Sequence, residues 1–292
     1  MPTNELEKIA LLAARFGKPA TGVGIGDDAA VLEGGLVWTI DAQVEDTHFK
    51  LEWLSWQDVG WRSFMAAASD LAAMGAMATA ALSALVLGPT VTDECLGLLA
   101  DGQAAAAKAL GIPIVGGNLA RGLETSVTTT LLGRVVKPVL RSGARVGEGI
   151  WLAGPVGFAA TGMATLAKGV KDPSFAKCVE AWRHPRARLG LPSGTAGIDI
   201  SDGLARDAMQ VANASNVTMA LDSSGLRLPP RFDRDPLEYA LHGGEDYALL
   251  MTSTMPLEGY VRVGSVQPRG PAPVTLDGRA IDPRGFDHFR KT

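Results

Sequence analysis

The segment GIGDDAAV at residues 24–31 sets two adjacent carboxylates between glycines and a short apolar run. In extended backbone, neighbouring side chains point to opposite faces, so Asp27 and Asp28 need not serve one purpose. Glycine lets the backbone approach a ligand closely, and Mg²⁺ in phosphate chemistry commonly takes one or two carboxylates together with substrate oxygens. Gly-Asp pairs are also ordinary turn formers. The segment therefore predicts either a metal-binding loop or a plain turn between two strands.

Length, charge and cysteine content exclude several classes of protein. The 292 residues suffice for one large domain or two moderate ones, and the net charge of -4 argues against a nucleic-acid surface. Cys95 and Cys178 lack CxxC spacing and are predicted to be buried free thiols. The uncharged stretch at 71–88 is weakly apolar and is predicted to be a helix end, a turn and a buried strand. With no signal peptide evident, we expect a cytoplasmic protein without a membrane partner.

Helix caps and alternating residues predict a mixture of helices and strands along the whole chain. Asn4 with Glu7 predicts a helix over residues 5–16, and Ser55 with Asp58 predicts a second one. Strands are predicted at 36–40, 77–87, 111–115, 125–136, 149–153, 217–221, 247–251 and 260–266. We predict a boundary near residue 137, which gives an α/β domain with a mixed sheet at 1–137 and another at 138–292.

Five aspartates recur beside small or β-branched residues near the ends of predicted elements: Asp28, Asp41, Asp70, Asp199 and Asp202. Two carboxylates at about 4 Å repel by roughly 4 kcal/mol at an effective dielectric constant of about 20, so a cluster needs cations. Divalent metals and a polyphosphate meet that need together. Each acid alone could instead be a helix cap or a turn residue. Asp70, inside a predicted helix, is the hardest to explain in that way.

Two further glycine-rich segments stand out. GGNLARG at residues 116–122 is predicted to be a turn after a strand, either a phosphate-binding turn or a plain one. GGEDY at residues 243–247 is an acidic turn that leads into a strand. The GxxxxGK[ST], HExxH and GxSxG motifs are absent from the sequence.

Eight segments together resemble the thiamine-monophosphate kinase family, of the superfamily that includes aminoimidazole ribonucleotide synthetase. In chain order they are GIGDDAAV (24–31), DAQVEDTHF (41–49), SDLAAMGA (69–76), GGNLARG (116–122), RSGARVGE (141–148), IDISDGLARD (198–207), GGEDY (243–247) and GFDHF (285–289). The resemblance implies the two-domain fold of aminoimidazole ribonucleotide synthetase. In that fold, residues 1–137 would bind ATP and Mg²⁺ and form a homodimer.

The resemblance also implies a reaction, in which the γ-phosphate of ATP passes directly to thiamine monophosphate with Mg²⁺. By matching positions, the metal ligands would be Asp28, Thr39, Ile40, Asp41, Asp70, Asn118, Asp199 and Asp202. ATP would contact Gly117, Asn118, Arg141 and Ser201, and thiamine monophosphate would contact His48, Glu245 and Phe286. An aromatic face with a carboxylate suits a cationic thiazolium, and an arginine suits phosphate. A general base is not required, because the accepting phosphate oxygen is already anionic.

Other functions remain open on the sequence alone. Selenophosphate synthetase would need a reactive cysteine near the N-terminus, whereas the first cysteine here is Cys95. An aminoimidazole ribonucleotide synthetase fits the fold but lacks support from the segments around His48 and Glu245. A catalytically silent, nucleotide-binding paralogue is a third alternative, with Asn118 as its mark.

Two positions depart from the family pattern, and one of them yields a prediction. Asn118 replaces the usual aspartate of GGD, and Ile40 stands where the family often has threonine. Losing a negative ligand weakens a Mg²⁺ site without preventing folding. We therefore expect an active kinase in which Asn118→Asp lowers the Mg²⁺ concentration needed for half-maximal turnover. A Mg²⁺ titration in which both proteins give the same curve would contradict this hypothesis.

Overall fold

The first of two mixed β-sheets occupies the N-terminal half of the computed structural model, which describes residues 4–289. Its strand order is β1-β2-β5-β3-β4. The strands are β1 (Ala30–Leu32), β2 (Leu36–Val44), β3 (Met77–Leu87), β4 (Ile114–Arg121) and β5 (Ser126–Arg134). β3 and β4 are parallel, whereas the other pairs are antiparallel.

The second sheet has seven strands and lies in the C-terminal half, in the order β12-β11-β8-β10-β6-β9-β7. Its strands are β6 (Gly149–Ala153), β7 (Ala196–Ile200), β8 (Val217–Leu221), β9 (Ala248–Ser253), β10 (Val261–Pro268), β11 (Val274–Leu276) and β12 (Arg279–Ala280). Only the β8 and β11 pair among these strands is parallel. Mixed sheets in both halves confirm the predicted α/β class. The division into two domains at residue 137 falls in the connection between β5 and β6 and stays a prediction.

Seven α-helices accompany the sheets in the described part of the chain. They are α1 (Glu5–Phe16), α2 (Trp56–Ala73), α3 (Asp93–Leu110), α4 (Phe158–Ala167), α5 (Ala176–Arg183), α6 (Leu204–Ser215) and α7 (Pro236–His242). The predicted caps form, because the Asn4 side chain accepts the Glu7 amide and Ser55 and Asp58 make a reciprocal capping box. Within residues 4–289, every helix is too short or too polar to cross a bilayer.

Several sequence expectations are corrected by long-range pairing. β2 does not end at Asp41 but continues to Val44, because β5 pairs with it as far as Ser126. The predicted strand at 111–115 starts later, at Ile114, and runs through the predicted turn, because β4 pairs with β3 as far as Arg121. β3 is not a buried strand, since only Ala81 among its residues is fully buried.

Cys178 is buried as expected, whereas Cys95 is half-buried at the start of α3.

Helix α2 covers one face of the first sheet and leaves the other face bare. Val37 and Thr39 of β2 point toward α2 and are buried, whereas Trp38 and Ile40 are 51% and 70% exposed. This alternation follows from the period of two along a strand. The bare face therefore belongs to no hydrophobic core within the described part of the chain.

Helix α2 also packs against the second sheet and thereby joins the two halves. Ala72 and Ala73 at its C-terminal end share a buried cluster with Val139, Leu249 and Met251. Burial of apolar surface contributes about 25 cal/mol per Å², so this cluster fixes α2 between the sheets. The C-terminal end of α2 therefore lies at the junction of the two halves.

An ion pair between α2 and α5 yields a prediction for stability against pH. The His184 Nε2 atom lies 2.7 Å from the Asp58 carboxylate, and Nδ1 lies 3.1 Å from Glu180. The hydrogen bond to Asp58 raises the pKa of His184 above its ordinary 6.5. Burial alone would raise the pKa of Asp58, but hydrogen bonds from His184 and Ser55 outweigh it and lower that pKa to about 2.

The stabilisation should be largest where both groups are charged, from about pH 4 to about pH 6. It should fade as the pH rises through the raised pKa of His184, and again as the pH falls from 3.8 toward about 2. Because solvent screens the pair, we expect less than about 1 kcal/mol. The free energy of unfolding, measured with urea across this pH range, should lack that contribution below pH 6.5 in His184→Gln. The control His242→Gln should retain it. An unchanged profile in His184→Gln would contradict the assignment.

Candidate active site

Asp27 and Asp28 of the segment at 24–31 both contact Arg141, which lies near the start of the C-terminal half. Arg141 binds one Asp28 oxygen through Nη2 at 2.6 Å and through Nε at 3.2 Å. The Arg141 backbone amide donates to both Asp27 oxygens at 3.2 Å, and its guanidinium also donates to Gln210 on α6. Burial, then the charge of Asp28, raises the pKa of Asp27 to about 6. The two aspartates thus perform different tasks on one arginine.

Asp28 of this ion pair lies close to three further carboxylates from other elements: Asp41 on β2, Asp70 on α2 and Asp199 on β7. Burial and the charges of Asp199, Asp28 and Asp41 raise the pKa of Asp70 well above its ordinary value. Burial and then Asp28 raise the pKa of Asp199 to about 7. Thr39 donates its hydroxyl proton to Asp70. The negative charges of Asp28 and Asp41 therefore oppose the ionisation of Asp70 and Asp199.

The loop after β7 adds Ser201 and Asp202 on the C-terminal side. One oxygen of the buried Asp207 accepts the backbone amides of residues 201, 202 and 203, each at 3.1 Å. Gly203 has a φ of 119°, which favours glycine. Burial raises the pKa of Asp202 to about 6, although Arg206 at 3.4 Å opposes that shift. Asp207 therefore fixes the backbone that carries Ser201 and Asp202.

The remaining predicted residues form a second group next to the acids. Glu245 accepts hydrogen bonds from Arg62 at 2.5 Å and from Trp182 at 2.6 Å. The His48 ring accepts the Val44 amide at 3.0 Å and lies 4.9 Å from the ring of His288. That ring in turn lies 4.8 Å from Phe286, whose amide donates to the Asp202 carbonyl.

The structure separates three predicted residues from these groups. Gly117 and Asn118 do not form a turn but lie in the exposed strand β4. Gly117 shares a row with Asp41 across β5 and β3, three strand spacings or about 14 Å away. A Cβ on Gly117 would lie 1.8 Å from the Ser83 carbonyl oxygen, which explains the glycine without a ligand. The Ile40 side chain is on the bare face, opposite Thr39 and Asp41.

The donor set fits hard divalent cations. Carboxylate and hydroxyl oxygens are the ligands that Mg²⁺ prefers, and Asp28 Oδ2 is buried without a hydrogen-bond partner. Within residues 4–289, three or more acidic, histidine or cysteine side chains do not yet surround a single ion position. Side chains that currently pair with Arg141 and Thr39 would have to turn toward an ion. Their role as metal ligands stays a prediction.

The chain shares its sequence with a group of named enzymes. Residues 26–135 match the family described as AIR synthase related protein, N-terminal domain. Thiamine-monophosphate kinase of Mycobacterium tuberculosis (strain ATCC 25618 / H37Rv) is 34% identical over 282 residues, which cover 89% of this chain and 84% of that protein. The chain belongs to the thiamine-monophosphate kinase family. The same enzyme of Aquifex aeolicus is 30% identical over 91% of this chain and 92% of its own length.

A solved member of the thiamine-monophosphate kinase family confirms the predicted fold. The structure of AaThiL complexed with AMPPCP and TMP superposes with a TM-score of 0.88 at 28% identity. The match covers 98% of this chain and 97% of that chain. The two-domain fold of aminoimidazole ribonucleotide synthetase, expected from the eight segments, is therefore the fold of this family member.

Sequence reasoning missed Arg62, Trp182, Asp207 and Asp27 as residues that arrange the site of this family member. Asp27 and Asp207 lie inside two of the eight family-like segments, each close in sequence to a predicted ligand. Their position could therefore have indicated a role in the site. Arg62 and Trp182 gave none, because their common partner, Glu245, lies 183 and 63 residues away in sequence.

Replacing one repelling acid should stabilise the protein in the absence of metal. Asp70→Asn keeps an oxygen that accepts from Thr39 and removes a charge that Asp199, Asp28 and Asp41 repel. We expect the melting temperature without Mg²⁺ to rise by about 2–4 °C, the scale of about 1 kcal/mol in a chain of this size. We expect the Mg²⁺-induced rise in melting temperature to shrink.

Asp101→Asn, on the exposed face of α3, is the matched control and should change neither quantity. A lower melting temperature for Asp70→Asn would show that Asp70 supports the fold rather than a ligand.

Proposed function

We propose that this chain transfers the γ-phosphate of ATP to thiamine monophosphate and forms thiamine diphosphate with Mg²⁺. One observation carries the proposal: acids from both halves converge beside Arg141, in a chain that superposes with TM-score 0.88 on an enzyme solved with AMPPCP and TMP. The names of the M. tuberculosis and A. aeolicus relatives point to the same acceptor.

The acidic group is assigned to the metal ions. The proposed ligands are the carboxylates of Asp28, Asp41, Asp70, Asp199 and Asp202. Thr39 orients Asp70, and Ile40 can contribute only its backbone carbonyl because its side chain is on the bare face. Bound Mg²⁺ supplies charge neutralisation for the phosphates. Arg141 and Ser201 are assigned to ATP, since a guanidinium and a hydroxyl both donate to phosphate oxygens.

The second group is assigned to the acceptor. His48, Glu245 and Phe286 combine an imidazole, a carboxylate and an aromatic ring beside the acids, a set that suits thiamine monophosphate. The accepting phosphate oxygen is anionic, so these residues need to position the acceptor rather than remove a proton. Free thiols at Cys95 and Cys178 are consistent with a cytoplasmic location.

A homodimer is proposed because the first sheet is incomplete in one chain. Its bare face exposes Trp38, Ile40 and Leu82, and β4 leaves one edge unpaired among the described strands. Beyond Trp38, β2 is likewise unpaired on the side of β1. A second copy that covers this face and these edges could also bring its own Gly117 and Asn118 to ATP, which a single chain keeps about 14 Å away from Asp41.

The activity is tested by ADP release and by chromatography of thiamine diphosphate. We expect release of ADP that requires both thiamine monophosphate and Mg²⁺, with one thiamine diphosphate formed per ADP. Asp199→Asn should reduce turnover by about a hundredfold or more, because a transition-state charge interaction is lost. Tight ATP binding without turnover would contradict the kinase proposal and favour the silent paralogue, which the neutral Asn118 would then explain.

The homodimer is tested by sedimentation velocity. Leu82→Lys places a charge on the bare face and should convert the protein to a monomer, because an unpaired charge is costly to bury in an interface. Met255→Lys, at an exposed apolar position after β9 and away from the bare face, is the control and should leave the sedimentation coefficient unchanged. A monomeric wild type, or a Leu82→Lys variant that still dimerises, would contradict this interface.

A further inference from the structure

We propose that Arg62 and Trp182 are positioning residues that hold the Glu245 carboxylate in place for the phosphate acceptor. The inference rests on the proposed function, because it concerns the acceptor side of the same site. It adds two residues, from α2 and α5, that lie outside the eight quoted segments. It also states how Glu245 would act: as an oriented, charge-compensated acceptor of hydrogen bonds rather than as a bare negative charge.

The contacts on Glu245 divide its two oxygens between two buried donors. Arg62 Nη2 lies 2.5 Å from Oε1, and Trp182 Nε1 lies 2.6 Å from Oε2. Arg62 and Trp182 are each 1% exposed, whereas the Glu245 side chain is 25% exposed. Both carboxylate oxygens are thus held by buried donors, while a quarter of the Glu245 side chain remains exposed.

The two donors also hold each other. The Arg62 guanidinium lies over the Trp182 ring at 4.7 Å and donates through Nη1 to the Trp182 carbonyl. Its Nε is buried without a partner in the described part of the chain, so only the two terminal nitrogens hold the guanidinium. A planar fork with fixed donor directions can serve two acceptors at once, which lysine cannot reproduce.

The loop needs such support because its backbone is strained. Glu245 and Tyr247 have φ values of 65° and 48°, a region that residues with a Cβ adopt rarely. Such conformations persist where the surroundings over-determine them. The Glu245 amide donates to the Ser201 carbonyl at 2.8 Å, and a Cβ on Gly244 would lie 2.1 Å from that same oxygen. The side chains of Arg62, from the other half of the chain, and of Trp182 complete this set of contacts.

Charge places the pair at the acceptor rather than at a remote position. Arg62 and Glu245 both act electrostatically on Asp41 and on His48, with opposite signs. The carboxylate therefore lies within electrostatic range of both Asp41 and the His48 ring. Since the guanidinium cancels its charge at 2.5 Å, orientation is what Glu245 offers to a ligand.

A binding experiment with a double-mutant cycle tests this inference. The variants are Arg62→Met, Glu245→Ala and the double variant, and Arg62→Lys is added as the conservative change. The measurements are the Kd of thiamine monophosphate in the presence of AMPPCP and Mg²⁺, and the Kd of AMPPCP alone.

We expect Arg62→Met to weaken thiamine monophosphate binding by about tenfold or more, the scale of a charged hydrogen bond, and to change AMPPCP binding by less than about twofold. In the Glu245→Ala background the same replacement should add less than about twofold, because Arg62 acts through Glu245. Arg62→Lys should restore binding only in part, because an ammonium cannot reproduce the fork.

The inference would be overturned if the two replacements raised the Kd of thiamine monophosphate by factors that multiply in the double variant. It would also be overturned if Arg62→Met weakened the binding of thiamine monophosphate and of AMPPCP equally. If Arg62→Met does not fold, Trp182→Phe decides the question, since it removes one N–H and keeps an aromatic ring. It should weaken only thiamine monophosphate binding, and an unchanged Kd would count against the inference. If the wild type binds thiamine monophosphate but forms no thiamine diphosphate, the proposed function is refuted, and the variants still decide this inference. If the wild type does not bind thiamine monophosphate, the proposed function and this inference are both refuted.

Discussion

Mutual repulsion among buried carboxylates is the constraint on which the rest of the structure depends. Asp28, Asp41, Asp70 and Asp199 lie where the two halves meet, and burial raises the pKa of all four. Neighbouring acids raise the pKa further at Asp41, Asp70 and Asp199, whereas Arg141 lowers that of Asp28. Arg141 compensates Asp28 and part of Asp27, yet one arginine does not balance the group. Such an arrangement costs folding free energy that a protein recovers when cations and a polyphosphate bind.

Helix α2 fixes the position of one of these carboxylates relative to the rest of the site. It packs on the first sheet, contacts the second sheet, and carries both Asp70 and Arg62. The two residues are eight positions apart, which corresponds to about 12 Å along a helix axis. One rigid element therefore sets the spacing between the acidic group and the Arg62–Glu245 pair. Strands β2 and β7 supply Asp41 and Asp199. Loops carry Asp202 and Glu245, and these two loops are tied to the buried Asp207 and Trp182.

Local signals in the sequence predicted much of the fold. The strands β3, β6 and β8 have their predicted bounds, and the caps at Asn4 and Ser55 form, because these features depend on nearby residues. The segment around Gly117 was misjudged because glycines suggest a turn, whereas the parallel partner β3 lies more than 30 residues earlier. The bare-face position of Ile40 follows from strand alternation, once β2 is known to continue past Asp41.

The candidate site was harder to predict than the fold. The small and β-branched neighbours of its acids singled them out, and a resemblance assigned them to metal ions, but the sequence pattern could not show that they converge. Arg62 lies among the apolar residues of an amphipathic helix, so its ion pair with Glu245 depends on the docking of two halves. Contacts of that kind become visible only when the tertiary arrangement is known.

The most direct test is a crystal structure with AMPPCP and Mn²⁺ in which anomalous scattering locates the ions. We expect manganese bound by carboxylate oxygens of Asp28, Asp41, Asp70 and Asp199 and bridged to phosphate oxygens. Manganese found only elsewhere, with Asp28 still paired to Arg141 and the other three carboxylates without a metal, would contradict it.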